Sequence, residues 1–549
     1  MPRAARWPTS RRRDAASSRY RGGVEVAPES NVVAAIDLLL TIGYIDGQLH
    51  PDEQALIRRY LDHLIKMKPE SAGHVDAAYA RLTSEIAALA AEVTAQDDGT
   101  FVATRLKVRA VSVFRSFTPS DQAVALELLT AMTQADGTIA PRERELHEEL
   151  LAYFHAEPSI PTPSTEPPPE MLRLEPPQAL PLPAVSHPVL DPLEHPYAAD
   201  PAAAASQFAS DYALIFQTIN GWEQARAIGN GRLLGVTAID QLPPGARWLD
   251  GHVHVLRPIQ PTELIVLGDL HGCYGCLKAA VLQSGFIERA TAHRNDPANH
   301  PDVKLVLLGD YLDRGRFGFE GVLRAALQLQ VMFPDHVLLL RGNHEYLVRV
   351  GEQVVSAVNP AEAVPAITDL APPGILDAYR HLFEHMPTAL VFERTLFVHG
   401  GVPRDETTAE RYRDLSSLGD PVIRFEMMWS DPEQIDTVPL ELQRASTRFS
   451  FGRDQFRAFM DKLGCYAMVR GHEQVDTGFM TNFDVGRAAL HTVFSAGGAH
   501  NEDLPADSRY RSVVPMALTV RWSNGVATAF PWAIDYLPFA DPANNGFHR

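Results

Sequence analysis

Cysteine is scarce: the 549 residues hold three, Cys273, Cys276 and Cys465. That number excludes a disulfide framework and points to a reducing compartment, with the cytoplasm as the expected location. Long apolar runs are missing too, since no stretch approaches the roughly 20 residues of a transmembrane helix. Positive charge is in deficit, with 49 Lys plus Arg against 68 Asp plus Glu and a net charge of −19. Such a balance speaks against a general nucleic-acid or anionic-membrane role, although an acidic protein can still bind phosphate locally. Residues 1–24 carry seven arginines and one acidic residue, but no apolar segment follows that could serve as a signal-peptide core. Residues 1–30 therefore read as a disordered basic tail, and neither export nor membrane insertion is expected.

The length exceeds what one hydrophobic core supports, so two or three domains are expected. Proline marks the boundary. Fourteen prolines fall between Pro158 and Pro201, with little hydrophobic periodicity, so residues 157–201 read as an extended linker. Its polyproline II stretches also offer a docking segment for a partner with an aromatic groove. Before it, residues 31–156 repeat apolar positions at helical spacing, as in Val33, Ile36, Leu39 and Leu40, and then Ala55, Leu56, Tyr60 and Leu61, which predicts an all-α domain. An internal repeat runs through it. Asp46-Gly47-Gln48-Leu49-His50-Pro51-Asp52-Glu53 and Asp136-Gly137-Thr138-Ile139-Ala140-Pro141-Arg142-Glu143 share one pattern, read as a tight turn and then a helix that starts with proline and an acidic residue. Aligning Gly47 or Gly137 with the glycine of an EF-hand loop puts Ile42 and Tyr44, or Met132 and Gln134, at its first ligand positions, which leaves too few oxygens for calcium.

After the linker, residues 202–549 form the expected catalytic domain. Five branched-aliphatic runs, Leu264 to Leu267, Val303 to Leu308, Val337 to Leu340, Leu396 to Val398 and Tyr466 to Val469, have the length and content of buried strands. Each ends in ligand-type residues: Gly268-Asp269-Leu270-His271-Gly272, Gly309-Asp310-Tyr311-Leu312-Asp313-Arg314-Gly315, Gly342-Asn343-His344-Glu345, His399-Gly400-Gly401 and Arg470-Gly471-His472. Reactive groups thus gather at strand C-termini, where α/β proteins build sites. Hydrolysis of a phosphate ester needs a strong nucleophile at neutral pH and neutralised phosphoryl charge, and two neighbouring divalent metals supply both. Asp269, His271 and Asp310 can hold one ion, and Asp310, Asn343, His399 and His472 the other, with Asp310 bridging. This mixed oxygen and nitrogen set suits manganese, the first choice here, or iron or zinc better than calcium. A hydroxide activated by the two metals would attack phosphorus in line, His344 would protonate the leaving oxygen, and Asp313 would orient that imidazole. Arg314 can donate a planar pair of hydrogen bonds to phosphate oxygens. Cys273 and Cys276 form a lone C-x-x-C behind this first loop, read as two small residues packing the following helix rather than a zinc or redox pair.

Residues 264 to about 500 resemble the phosphoprotein phosphatase family of calcineurin-like metallophosphatases. The resemblance rests on the three Gly-Asp and Asn-His motifs above, followed in family order by Val398-His399-Gly400-Gly401, Trp429-Ser430-Asp431-Pro432, Phe451-Gly452, Arg470-Gly471-His472 and Phe494-Ser495-Ala496. It implies an α/β fold with a central β-sandwich flanked by helices, two metals, and removal of phosphate from protein serine and threonine. It also implies a second phosphate-binding arginine, for which counting from Pro432 favours Arg444 over Arg448. Where many members have Pro-Asn-Tyr this chain has Gly497-Gly498-Ala499, so the aromatic that shapes the substrate groove there is absent. The N-terminal repeat resembles TerB-like helical domains, which implies a small sensing or interaction module able to bind a protein partner. Two rivals compete with a protein phosphatase. One is a hydrolase of dinucleoside polyphosphates or other small phosphate esters, against which Asp313 and Glu345 weigh. The other is a non-enzymatic scaffold that recognises phosphate, against which the intact ligand set with His344 and Arg314 weighs.

Overall fold

A computed structural model describes residues 28–45, 49–67, 72–95, parts of 106–154, and 172–549 apart from 352 and 446–448. The chain divides into two compact units, Met1–Ala156 and Glu157–Arg549. The expected basic tail at 1–30 falls almost wholly outside the described residues, as do the turns of both repeat copies at 46–48 and 133–143.

The N-terminal unit is helical, as its periodicity predicts. Pro28–Gly43, Pro51–Met67, Ala72–Ala95 and Pro119–Met132 are α-helices, and Ile36, Leu39, Leu40, Ile57, Leu61, Leu82, Ile86 and Phe114 share one core. In the first repeat copy the helix does begin at Pro51, and the buried Glu53 carboxylate accepts the His50 N–H at 2.8 Å. The repeated pattern at this copy is thus that of a helix cap, one of whose orphan donors is satisfied by the acidic side chain. Asp37 holds Arg109 through two bonds of 2.7 Å, tying the first helix to a segment 72 residues on.

The C-terminal unit is a β-sandwich with helices on both outer faces, the α/β architecture expected from the sequence. One sheet has the spatial order Arg173–Leu174, Val526–Ala533, Met516–Ser523, Thr262–Leu267, Asp302–Leu307 and Val337–Leu339. The other runs Phe479–Val485, Ala488–Val493, Ala467–Arg470, Thr395–Val398, Ala389–Phe392, Val253–Leu256 and Arg247–Asp250. Leu264, Val266, Val306 and Leu308 face inward onto Leu390, Phe392, Phe397 and Val469 of the second sheet. Their neighbours Ile265, Leu267, Leu305 and Leu307 face the other way, into a core with the helices Tyr274–Gln283 and Arg324–Met332. Both faces of these strands are covered, and for that reason the sequence shows continuous apolar runs rather than alternation. Cys273 and Cys276 are fully buried at the start of Tyr274–Gln283, packing that helix as expected.

The expected linker at 157–201 needs correction, because residues 172–201 are built into the catalytic unit. Arg173–Leu174 pairs in parallel with Thr528 and Ala529, Leu190 is fully buried, and Leu180, Leu182, Val185 and Val189 pack on the core. Lys278, 1% exposed, meets Asp191 at 2.9 Å, the Asn544 carbonyl at 2.9 Å, and the Glu194 carboxylate. Extended proline-rich backbone removes donors but leaves the intervening side chains available to dock, and these apolar and acidic residues do. Lys278→Met, which leaves the two carboxylates behind, is expected to lower the stability of this unit by about 3–5 kcal/mol in urea unfolding, the loss typical of one partner removed from a buried pair.

Candidate active site

Five loops carrying the predicted ligands leave the C-terminal ends of five strands. Thr262–Leu267, Asp302–Leu307 and Val337–Leu339 are adjacent and parallel in one sheet, and Thr395–Val398 and Ala467–Arg470 are parallel neighbours in the other. The two sheets therefore deliver Asp269, His271, Asp310, Asn343 and His344 from one side and His399 and His472 from the other. The loops are tightly wound. His271, Asp310, Asp313, Arg314 and His472 all adopt left-handed backbone, with φ between 43° and 71°, a cost that clusters at functional sites. Where two of these loops touch, only glycine fits: a Cβ on Gly309 (φ +117°) would lie 2.4 Å from the Gly342 nitrogen.

Asp310 sits at the centre. Its Oδ1 is 3.2 Å from His399 Nε2 and its Oδ2 is 3.5 Å from His271 Nε2, and Asp269 Oδ2 lies 3.6 Å from the same His271 nitrogen. The Asn343 amide is 2.9 Å from His399 Nε2 and 3.0 Å from His472 Nδ1. Asp269, His271, Asp310, Asn343, His399 and His472 are all buried or nearly so. Two imidazoles are oriented from behind: His271 Nδ1 donates to the Leu312 carbonyl at 2.8 Å and His399 Nδ1 to the Leu308 carbonyl at 3.2 Å. Those bonds fix each ring's orientation and turn its Nε2 inward, the arrangement that metal-ligating histidines use. Burial alone would raise the Asp310 carboxyl, but the imidazoles of His399 and His344 hold it well below its ordinary value.

The donor set fits divalent cations. Asp269 Oδ2 is buried with no hydrogen-bond partner, a cost that a cation would remove. The Asn343 amide group that reaches Asp310 lies 3.2 and 3.3 Å from its two carboxylate oxygens. As nitrogen it donates to them, and as oxygen it faces them only with a cation between. Ligand atoms of Asp310, His399 and His472 converge within 4.8 Å, as do those of His271, Asp310 and His344. Metal ions at such a site generate a nucleophile at neutral pH and neutralise phosphoryl charge.

His344 stands at the edge of this set as the sequence anticipates. Its Nδ1 is 2.7 Å from Asp313 Oδ2, and its Nε2 is 3.9 Å from Asp310 Oδ2. Asp313 is itself fixed, since its Oδ1 accepts the N–H groups of Glu362 and Ala363, both at 2.8 Å. Burial works against its ionisation, yet the His344 hydrogen bond and these N–H groups hold its carboxyl below the usual range. A carboxylate so placed makes Nδ1 the donor and leaves Nε2 to hold or release a proton toward the centre.

Residues 262–476 match the family model for calcineurin-like phosphoesterases, and residues 32–159 match that for the tellurite resistance protein TerB. Each match covers less than half of the chain. The phosphoesterase domain is similar to the serine/threonine-protein phosphatase 4 catalytic subunit of Saccharomyces cerevisiae, 27% identical over 242 residues, which span 43% of this chain and 69% of the relative. It is also similar to a serine/threonine-protein phosphatase of Caenorhabditis elegans, 30% identical over 235 residues, 42% of this chain and 46% of that protein, less than half its length. Among solved structures, a yeast protein serine/threonine phosphatase with similarity to human phosphatase PP5 overlaps 59% of this chain and 89% of its own at 17% identity and a TM-score of 0.39, too loose a likeness to add weight. The domain is a metal-dependent phosphoester hydrolase.

Within the phosphoesterase domain the two predicted arginines are placed less simply than the ligands. Arg314 donates to the Pro360 carbonyl at 3.0 Å and pairs with Glu362 at 3.4 Å, beside the Asp313 anchor. Arg444 lies on the short helix Leu440–Ala445, where its exposed guanidinium takes both oxygens of Glu406 at 3.0 and 2.9 Å. The structure thus gives Arg444 a carboxylate partner and not a place among the ligands; Arg448 lies outside the described residues.

Other residues carry the site without any motif that marks them for that role. The fully buried Glu345 carboxylate accepts the N–H groups of Asp310, Tyr311 and Gly342 at 2.8, 2.9 and 3.0 Å, locking two ligand loops together. Burial and the charge of Asp310 push its carboxyl up to about 7. Arg470, fully buried, donates to the carbonyls of Gly400 and Ser430 and to Asp431, joining three motifs. Tyr510 stacks on His271, ring centres 5.4 Å apart. No aromatic occupies 497–499, as the sequence shows, yet one reaches a ligand from the short 3-10 helix Arg509–Ser512, outside every motif. Glu345→Ala would strand three backbone donors, and a loss of about 3 kcal/mol or more is expected in urea unfolding at a penalty of ~1–3 kcal/mol per buried unsatisfied group.

Proposed function

We propose that this protein removes phosphate from phosphoserine or phosphothreonine in proteins. The observation that carries the reading is the Asp313–His344 pair at the edge of the ligand cluster, an oriented proton donor suited to a serine or threonine alkoxide, which leaves poorly without a proton. The named relatives, which are serine/threonine-protein phosphatases, support it. Manganese is the proposed ion, on the mixed carboxylate, amide and imidazole donors, and the cytoplasm the proposed compartment. The substrate docks through oxygens neutralised at the centre, with Arg314 beside it, and His344 delivers the proton to the leaving oxygen. The deciding experiment is turnover after manganese reconstitution on a phosphothreonine peptide and on diadenosine tetraphosphate, with His344→Ala as control. Preference for the peptide supports this reading, preference for the dinucleotide transfers the enzyme to small phosphate esters, and silence on both returns the scaffold.

The helical TerB domain is proposed as a partner-binding module that localises or gates the phosphatase in a metal-ion or chemical-stress response. Deleting residues 1–157 and finding activity, partners and stress phenotype all unchanged would rule this out.

A further inference from the structure

A cleft of about 330 Å³ opens beside the hairpin that follows His344, lined by Arg341, Tyr346, Arg349, Arg380, Arg424 and Phe425 among others. Its charge is lopsided. Among the described residues that line it the carboxylate is Glu384, which pairs with Arg380 at 2.5 Å. Arg349 pairs with Asp377. Among the described residues no carboxylate pairs with the other two. Arg341, only 5% exposed, places its guanidinium over the Tyr346 ring and gives its Nε to the Glu345 carbonyl at 3.0 Å. Arg424 has both Nε and Nη1 buried with no hydrogen-bond partner. The nearby Asp420 is occupied elsewhere, accepting the N–H groups of Val422 and Ile423 and pairing with Arg411 at 3.3 Å.

Buried guanidinium nitrogens without an acceptor are costly, and no described protein group accepts from Arg424 Nε or Nη1. The surroundings feel the excess: burial together with repulsion from Arg341 and Arg226 pushes Arg424 down to about 10, and burial together with Arg424 pushes His252 to about 3. Planar forks of this kind match tetrahedral oxyanions bidentately. We propose that this cleft is a second anion site, which holds a phosphoryl group between Arg341 and Arg424. It shares the Arg341–Glu345 loop with the catalytic centre but none of its ligands. The anion is either a second phosphoryl group on the substrate or free phosphate. Occupation of the site does not depend on which phosphate ester the centre hydrolyses.

The test uses the full chain and the variants Arg424→Met and Arg424→Gln. Crystals soaked in tungstate should show a tungsten anomalous peak between Arg341 and Arg424 in the wild type and none there in either variant, while the peak at the catalytic centre persists in all three as an internal control. Absence of the cleft peak from the wild type, or its survival in the variants, overturns the proposal. Two kinetic arms identify the source. If the substrate supplies the anion, Arg424→Met raises KM for a peptide bearing two phosphoryl groups about tenfold relative to the same peptide bearing one, a typical loss for a truncated charge pair. If free phosphate is the ligand, the concentration at which inorganic phosphate alters turnover shifts about tenfold instead. Flat results in both arms overturn a functional site. Arg424→Met should melt no lower than the wild type, because it removes an uncompensated charge, and Arg424→Gln keeps the test open should the methionine variant fail to fold.

Discussion

Turnover on a phosphoserine peptide is expected to fall by about 10²–10⁴ in His344→Ala, with bound metal unchanged, if this imidazole supplies the leaving-group proton. The geometry gives two reasons to separate it from the ligands. Its Nδ1 is committed to Asp313 at 2.7 Å, and its Nε2 stands 3.9 Å from Asp310, farther than the 3.2 Å and 3.5 Å of His399 and His271. Because the ligand atoms of His271, Asp310 and His344 also fall within 4.8 Å of one another, a ligand role is the competing reading, and metal content decides between them. Loss of metal along with activity would assign His344 to the ion. A proton donor makes a further signature: p-nitrophenyl phosphate, whose leaving group departs without protonation, should lose far less rate than the peptide. Asp313→Asn should lower kcat in the same direction, and the double variant should be no slower than His344→Ala alone, since the two side chains act as one unit.

The strands and ligands were legible for connected reasons. A strand covered on both faces must be apolar at every position, so Leu264 to Leu267 stand out in the sequence, and the glycines beside Asp269, Asp310 and Asn343 mark where loops cross too closely for a side chain. Partnership between distant segments left no such mark. Nothing in Met516–Ser523 or Val526–Ala533 says that they pair beside Thr262–Leu267 at the middle of the first sheet, because a period of two fixes faces but not neighbours. The prolines of 172–201 signal missing donors but not the docking of Leu190, Asp191 and Glu194, which bind this segment to the core. Tyr510 and the stapling role of Arg470 depend on contacts across the fold and have no local pattern. Spacing along a family pattern points to Arg444, but that side chain pairs with Glu406 instead.

Asp310→Asn should produce the broadest failure, with metal content and turnover lost together. The carboxylate faces His271 on one oxygen and His399 on the other, so a bridging role draws on both oxygens and both negative lone-pair sets at once. Asparagine keeps the shape and one acceptor, which can still take the His344 N–H now held at 3.0 Å, but it removes the charge that offsets two cations and turns an NH₂ toward one imidazole. Metal measured by elemental analysis after dialysis should fall below the wild-type content, and kcat should drop by at least about 10³, since the metals supply both the nucleophile and the charge neutralisation. The fold should survive at reduced stability, because asparagine keeps the shape and the acceptor for the His344 backbone N–H while giving up the pairing with the His399 and His344 imidazoles. Wild-type metal content in Asp310→Asn would show that the bridge lies elsewhere in the cluster and would shift attention to Asp269, whose Oδ2 is buried without a partner.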